Sequence, residues 1–475
     1  MRPIAGETWR AGLIACIGVL PALAIVPMPA QAATEPGLRY PRSAAVASDQ
    51  ILVQYRGEPG EQVVELGPGV EPGSALRELR ADPEVRWAAP DPIARAGGLP
   101  RDPGKNGNQA GGWVADQWNF LTPPPLGVPC DATQPCGVDA IGAWRLLERA
   151  GHPGGARASG KRGPIVAVID SGVAYRDAGS RYRKNPDLAA GAFVRGRDFI
   201  GDDARPLDRN GHGTHIAATI VEQTDNEIGV TGLGDQLRVM PIRVLDAFGA
   251  GVASDVAKGI RFATRNGAAV INLSLEFAPR FRDCARLRGV CQAIRQARSS
   301  GTVVVAATGN AASNRAQMPA AVAFGVASST IRGCLAQLSS RGPGTDITAP
   351  GGGLDSDAGP HCLPRAPGPS ITQLTLSSRS LLAGRYDRFG YPRYEGTSMA
   401  AAHVSAAVAL VKASRVLSDR LGHNPGPAAI ENWLRCTARA VPASPEADLY
   451  GAGLLDLRAA VDPRSCPEIA RVRAD

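Results

Sequence analysis

Four short apolar runs, separated by segments with helical spacing, constrain this chain more than any other feature. Ile165–Ile169, Val239–Leu245, Ala269–Leu275 and Thr302–Ala307 are mostly aliphatic on both alternating faces, as strands covered from two sides must be. Between and beside them, Gly213–Glu222, Ser254–Asn266 and Cys291–Ser299 place apolar residues at helical intervals. Strand–helix alternation of this kind predicts an α/β fold with a mostly parallel, doubly covered sheet. Ser398–Arg415, rich in Ala, Val and Leu, reads as a helix buried nearly all round. With 44% hydrophobic residues among 475, the chain has enough apolar surface for one large core and a smaller one.

A smaller α+β module is expected ahead of this region. Gln50–Tyr55 and Val85–Ala89 read as short strands, and Ser74–Arg80 between them has helical character. Pro90–Ala110 is rich in Pro, Gly and Arg, the composition of an exposed linker open to proteolysis. The extreme N-terminus has the pattern of an export signal. Arg2 and Arg10 precede the apolar stretch Ala11–Val26, and Ala30-Gln31-Ala32 supplies small residues for cleavage. Pro21 and the short apolar length argue against a spanning helix, so no stable membrane insertion is expected. Leu13-Ile14-Ala15-Cys16 superficially has the form of a lipidation box, but most of the apolar residues follow that Cys, which ranks lipidation second. The expected division is a signal peptide over 1–32, a module and linker over 33–110, the main domain over 111–465 and a tail over 466–475.

Of nine cysteines, eight remain once Cys16 leaves with the signal, an even number in a chain bound for an oxidising compartment. Nearest-neighbour pairing would give Cys130–Cys136, Cys284–Cys291, Cys334–Cys362 and Cys436–Cys466, though spacing alone leaves the connectivity open. No CxxC pair with a His companion is present, so zinc is disfavoured. The formal charge of +8 comes from scattered rather than clustered Arg, which makes a nucleic-acid partner unexpected.

Three residues with catalytic settings stand far apart in the chain. Asp170 closes the apolar run Ile165–Ile169, at the edge where parallel α/β sheets bind ligands. His212 lies in Gly211-His212-Gly213-Thr214, where flanking glycines allow close backbone approach ahead of a helix. Ser398, in Gly396-Thr397-Ser398-Met399-Ala400, opens the long buried helix, whose positive end suits a developing oxyanion. Asp, His and Ser in that order form one of the chain orders in which nucleophilic triads occur. His215, three residues beyond His212, reads as a packed structural histidine.

These segments resemble those of the subtilisin-like serine protease (subtilase) family. The resemblance extends through Ile228–Gly232, Met240–Val244, Val270–Ser274, Ala307–Asn310, Ala349–Gly351 and Gly451–Leu455, covering the chain from about Trp118 to about Val461. It implies an exported serine endopeptidase, made as a precursor and needing no organic cofactor. Ser398 would be the nucleophile, His212 the general base and then acid, and Asp170 the group that orients the imidazole. Asn310 would donate its side-chain amide to the oxyanion. Ser274 and Leu275 would pair with the backbone of a protein or peptide substrate. Glu276 and Phe277 stand where the family usually has two glycines, and a carboxylate beside the substrate strand is expected to favour basic side chains. Ala402 replaces the family's common Pro and Ala218 its common Gly, and Met318-Pro319 resembles a segment with a cis peptide. The N-terminal module resembles a shortened inhibitory prodomain, which would act as an intramolecular inhibitor. The family often binds structural calcium. Asp198, Asp202, Asp203 and Asp208 offer oxygen ligands, with no site assigned. A catalytically silent peptide-binding protein is the competing reading. A lipase or esterase is disfavoured because Gly396–Ala400 lacks the second glycine of a Gly-x-Ser-x-Gly elbow.

Overall fold

The computed structural model describes residues 46–467, apart from 59, 68, 93–99, 108–109, 151–162, 235, 358–360 and 442–445. The expected signal segment, part of the linker and residues 468–475 of the expected tail lie outside the described residues. The chain divides into two compact units between Gly97 and Gly98.

In the first unit, β1 (Val46–Tyr55) is the centre of a three-stranded antiparallel sheet, flanked by β2 (Gln62–Glu65) and β3 (Val85–Pro92). The helix Pro72–Ala81 has Pro at its start and the Glu71 carboxylate accepting from the Ser74 N–H. Its small core holds Ile51, Val53, Val85 and Ala88, with Leu76 and Leu79 packed on it. The sequence pattern missed β2, whose Gln-Val-Val-Glu is largely exposed and shows no buried face.

The second unit is built on seven parallel strands: β4 (Ile165–Asp170), β5 (Arg197–Asp198), β6 (Arg238–Arg243), β7 (Val270–Leu273), β8 (Val303–Ala307), β9 (Phe324–Ser329) and β10 (Ile347–Pro350). Their order across the sheet is β10-β9-β8-β7-β4-β6-β5. Both faces are covered, as the aliphatic runs require. Val166 and Val168 of β4 join a core with the helices Ala140–Arg149, His212–Val221 and Thr397–Ser414. Ala167 and Ile169 point the other way, into a core with the helices Ala253–Arg265 and Arg288–Ser299. Strand order reverses at β4, which neighbours both β6 and β7. The carboxyl ends of the strands there open a crevice, the place where such sheets bind ligands.

Pro100–Gly107, expected as linker, belongs to the second unit instead. Asp102 is buried and accepts the N–H groups of Asp225 and Asn226, and the Gly104 N–H donates to the Gly229 carbonyl at 2.7 Å. These ties are made by backbone donors distant in sequence, which composition does not reveal. All four nearest-neighbour disulfides form, with Cα–Cα separations of 5.5 to 6.0 Å. Cys466, assigned to the tail from sequence, is therefore tied to Cys436 in the helix Pro427–Thr437. The Met318–Pro319 peptide is cis. Ala218 and Ala402 are fully buried within their helices. Among the described residues, no helix is long and apolar enough to cross a membrane.

Candidate active site

Asp170, His212, Ser274 and Ser398 meet where β4, β7 and two helix starts converge. Asp170 ends β4 and is fully buried; its Oδ1 accepts from the Ser171 N–H at 2.7 Å and faces His212 Nδ1 at 2.8 Å, with Oδ2 at 3.0 Å. Since a carboxylate only accepts, Nδ1 carries the proton, which leaves Nε2 as the free base in the neutral ring. The His212 side chain is 21% exposed, so it reaches the cleft while Asp170 stays behind it. Burial opposes protonation of the imidazole, but the Asp170 charge and hydrogen bond, with the Asp208 charge further off, outweigh it and raise the His212 pKa above the ordinary value. Gly213 has no side chain to spare, since a Cβ there would run into the Gly172 carbonyl.

The turn carrying His212 is organised by Asp208. Its Oδ1 accepts from Ser171 Oγ and from the N–H groups of Asn210 and Gly211 at 2.8–2.9 Å. Its Oδ2 accepts from the N–H and hydroxyl of Thr214 at 3.0 and 2.5 Å. Sequence reading offered Asp208 as a calcium ligand, whereas all of its acceptor capacity near the turn is committed to protein donors. The other aspartates of that group are engaged as well. Asp198 is buried, accepting from Arg243 at 2.9 Å and from two backbone N–H groups; Asp202 pairs with Arg197; Asp203 pairs with Arg205. His215 is buried, with Nε2 donating to the Ile371 carbonyl at 3.1 Å, and the Tyr394 ring packs against it and near His212.

Ser398 is the second residue of the helix Thr397–Ser414, which buries all of its side chains except Lys412 and Ala413. Small residues let this helix lie close against the sheet, and a buried polar chain fixes its position. Ser405 Oγ donates to Asn272 Oδ1 at 2.8 Å, Asn272 Nδ2 to Ser274 Oγ at 2.9 Å, and Ser274 Oγ to the Ser398 carbonyl at 2.8 Å. The Ser398 hydroxyl donates to the Ser274 carbonyl at 3.3 Å rather than to His212. The N-cap, Gly396, has no side chain to cap the helix, and the Ser398 N–H stays among the first-turn donors without a partner among the described residues.

Asn310 follows β8 and is held by its oxygen. Its Oδ1 accepts from the N–H and hydroxyl of Thr397, both at 3.0 Å, and Thr397 Oγ1 in turn accepts from the Gly309 N–H at 3.1 Å. This clamp leaves the Asn310 Nδ2 donors without a partner among the described residues. The Asn310 N–H donates to Glu276 Oε2 at 2.6 Å. His212, Ser398, Asn310, Ser274, Leu275 and Glu276 all line one open cleft of about 450 Å³, together with the exposed Phe248 at its rim. The Asp208 network and the Thr397 clamp escaped sequence reading. A hint of the first was Asp208-Arg-Asn-Gly211, an Asx-turn pattern directly ahead of the histidine.

A second acidic group lies elsewhere in the same unit. Asp102, Asp187 and Glu222 are buried near one another. Burial pushes Asp102 up to about 7 and Asp187 up to about 8, and Glu222 is raised well above the usual range by burial and the Asp187 charge. Asp187 Oδ1 accepts from Asn226 Nδ2 at 2.7 Å, and the carboxyl of Glu222, raised well above its usual range, hydrogen-bonds the Asp187 carboxylate. Among the described residues no three His, Cys, Asp or Glu side chains form a metal-holding group, so a cation here would also draw on amide and carbonyl oxygens.

The sequence matches the model of the Subtilase family over residues 161–453, and the chain belongs to that family. It is 31% identical over 432 residues to an extracellular protease of Xanthomonas campestris pv. campestris, covering 82% of this chain and 61% of that one. Against subtilisin Savinase of Lederbergia lenta it is 33% identical over 321 residues, 67% of this chain and 97% of the relative. A thermophilic serine proteinase of a Bacillus species is 34% identical over 53% of each chain. The matched regions thus span about half to three-fifths of two of these relatives and nearly all of the third. Among solved structures, one titled as proteases from Pseudoalteromonas arctica superposes with a TM-score of 0.57 at 28% identity, covering 76% of this chain and 98% of that one.

Proposed function

We propose that this chain is an exported serine endopeptidase, made as a precursor, in which Asp170, His212 and Ser398 form a catalytic relay. The observation that carries the reading is the 2.8 Å Asp170–His212 contact, with Nε2 left free toward a cleft shared with Ser398 and Asn310. An extended peptide lies along Ser274 and Leu275, and its N–H donated to the Ser274 carbonyl displaces the Ser398 hydroxyl from that acceptor. The hydroxyl turns to His212 Nε2; catalytic hydrogen bonds of this kind commonly tighten only once substrate is bound. Ser398 Oγ then adds to the scissile carbonyl as Nε2 takes its proton. Asp170 holds the ring and stabilises the imidazolium. The Ser398 N–H and Asn310 Nδ2 donate to the oxyanion, and removal of one such donor costs about 10²–10³-fold in turnover, a magnitude established on subtilisin. Collapse expels the amine with the proton from His212, and water, activated by the same imidazole, releases the acid.

Export is supported by the signal-like pattern of residues 1–32, by four disulfides and by the extracellular relative. The first unit, a small α+β module ahead of the protease unit, is read as the inhibitory prodomain. If calcium is held, Asp102 and Asp187 would hold it, offsetting the burial and mutual repulsion of these acids; its part is structural and no chemical step passes through it.

Incubating the exported protein with a mixed peptide library, followed by mass spectrometry, tests the reading. Wild type should cut peptides and shorten itself, while Ser398→Ala should leave both peptides and precursor full length. Peptides retained intact by wild type would favour the silent binding protein.

A further inference from the structure

We propose that Glu276 makes the cleft selective for a cationic side chain, Arg or Lys, on the residue preceding the scissile bond. The inference rests on the endopeptidase reading above. Glu276 lies two residues past Ser274, whose carbonyl holds the Ser398 hydroxyl, so it borders the point where chemistry occurs. Its Oε2 accepts the Asn310 N–H at 2.6 Å. The approach depends on Gly309, because a Cβ at that position would collide with the same oxygen. Oε1 has no hydrogen-bond partner, and no Lys, Arg or His pairs with this carboxylate among the described residues. The charge is therefore uncompensated and opens on the cleft.

Its position has a cost for neutral substrates. Asn310 donates from Nδ2 to the oxyanion, so a carboxylate on the backbone of the same residue places negative charge beside the negative charge that develops in the transition state. Water screens this in the free enzyme, but a bound peptide displaces that water and strengthens the repulsion. A guanidinium or ammonium cancels it. Leu275 and Phe277 on either side provide apolar surface for the methylene stem of such a side chain. The cation is thus recognised and, in the same contact, the oxyanion donor is relieved of an opposing charge, so selectivity appears in kcat as well as KM.

The test uses matched peptides that differ only in Arg or citrulline, its neutral near-isostere, before the cleaved bond. The enzymes are wild type and Glu276→Gln, whose amide oxygen still accepts the Asn310 N–H. Wild type should favour Arg by about tenfold or more in kcat/KM, narrowing with added salt, and Glu276→Gln should bring the ratio to about one by raising citrulline turnover and lowering Arg turnover. Equal cleavage of the two peptides by wild type would overturn the selectivity and leave the endopeptidase reading standing. So would an Arg preference that survives in the variant. An equal loss on both peptides would confine Glu276 to positioning Asn310 and would also overturn the proposal. No cleavage of either peptide by wild type, with Ser398 unlabelled by a fluorophosphonate, would overturn the endopeptidase reading itself and the selectivity with it.

Discussion

His212 must be neutral to accept a proton, yet its surroundings favour the charged ring. Burial works against that charge, and Asp170, helped by Asp208, more than offsets it. Activity should therefore fall as pH drops through a value above the ordinary histidine pKa of about 6.5, because protonation removes the base. Asp170→Asn takes away the carboxylate that raises the pKa while burial remains, so the acidic limb should move to lower pH and kcat should fall about 10⁴-fold. A kcat/KM profile over pH for both proteins checks this; an unmoved limb in the variant would assign it to another group. Asn310 shows the same economy at a single residue. Its oxygen is occupied by Thr397, so the amide orientation is fixed and only the donors face the cleft.

At the scale of elements, the buried chain Ser405–Asn272–Ser274–Ser398 couples β7 to the helix that carries the nucleophile. Asn272→Ala would leave the Ser405 and Ser274 hydroxyls short of partners and open a small void. A loss of about 2–4 kcal/mol is expected, measured as a lowered denaturant midpoint at unchanged slope. Stability within about 0.5 kcal/mol of wild type would mean that the chain contributes nothing net. The strands β4, β6, β7 and β8 were legible because two-sided burial demands unbroken aliphatic runs. β9 and β10 were not marked out, as Phe324-Gly-Val-Ala-Ser-Ser329 and Ile347-Thr-Ala-Pro350 are diluted by Gly, Ser, Thr and Pro. The helix Arg288–Ser299 begins three residues before the expected Cys291, since Arg288-Gly289 carries no apolar signal. The candidate site was legible for a related reason. Asp170, Asn310 and Ser398 each sit at a strand end or helix start, which local sequence marks. The Asp208 network and the Thr397–Asn310 clamp join residues far apart in the chain or set by turn geometry, and no local pattern reports them.

For the whole molecule, a doubly covered parallel sheet requires long crossovers before its strands can pair, which makes folding slow. Four disulfides close loops within the protease unit, the longest spanning 30 residues, and suit a protein working outside the reducing interior. Calcium at the Asp102–Asp187 group would add stability by mass action. Thermal unfolding should shift upward in calcium relative to chelator, and Asp187→Asn should abolish the shift; equal midpoints for wild type in the two buffers would contradict that assignment. The central claim is that a hydroxyl, an imidazole and a carboxylate act as one relay, and an activated serine reacts with a fluorophosphonate far faster than an ordinary one. Labelling followed by peptide mapping should place one adduct on Ser398 in wild type, none in Ser398→Ala, and a greatly slowed reaction in His212→Ala. A wild-type protein that stays unlabelled, or an adduct at another serine, would contradict it.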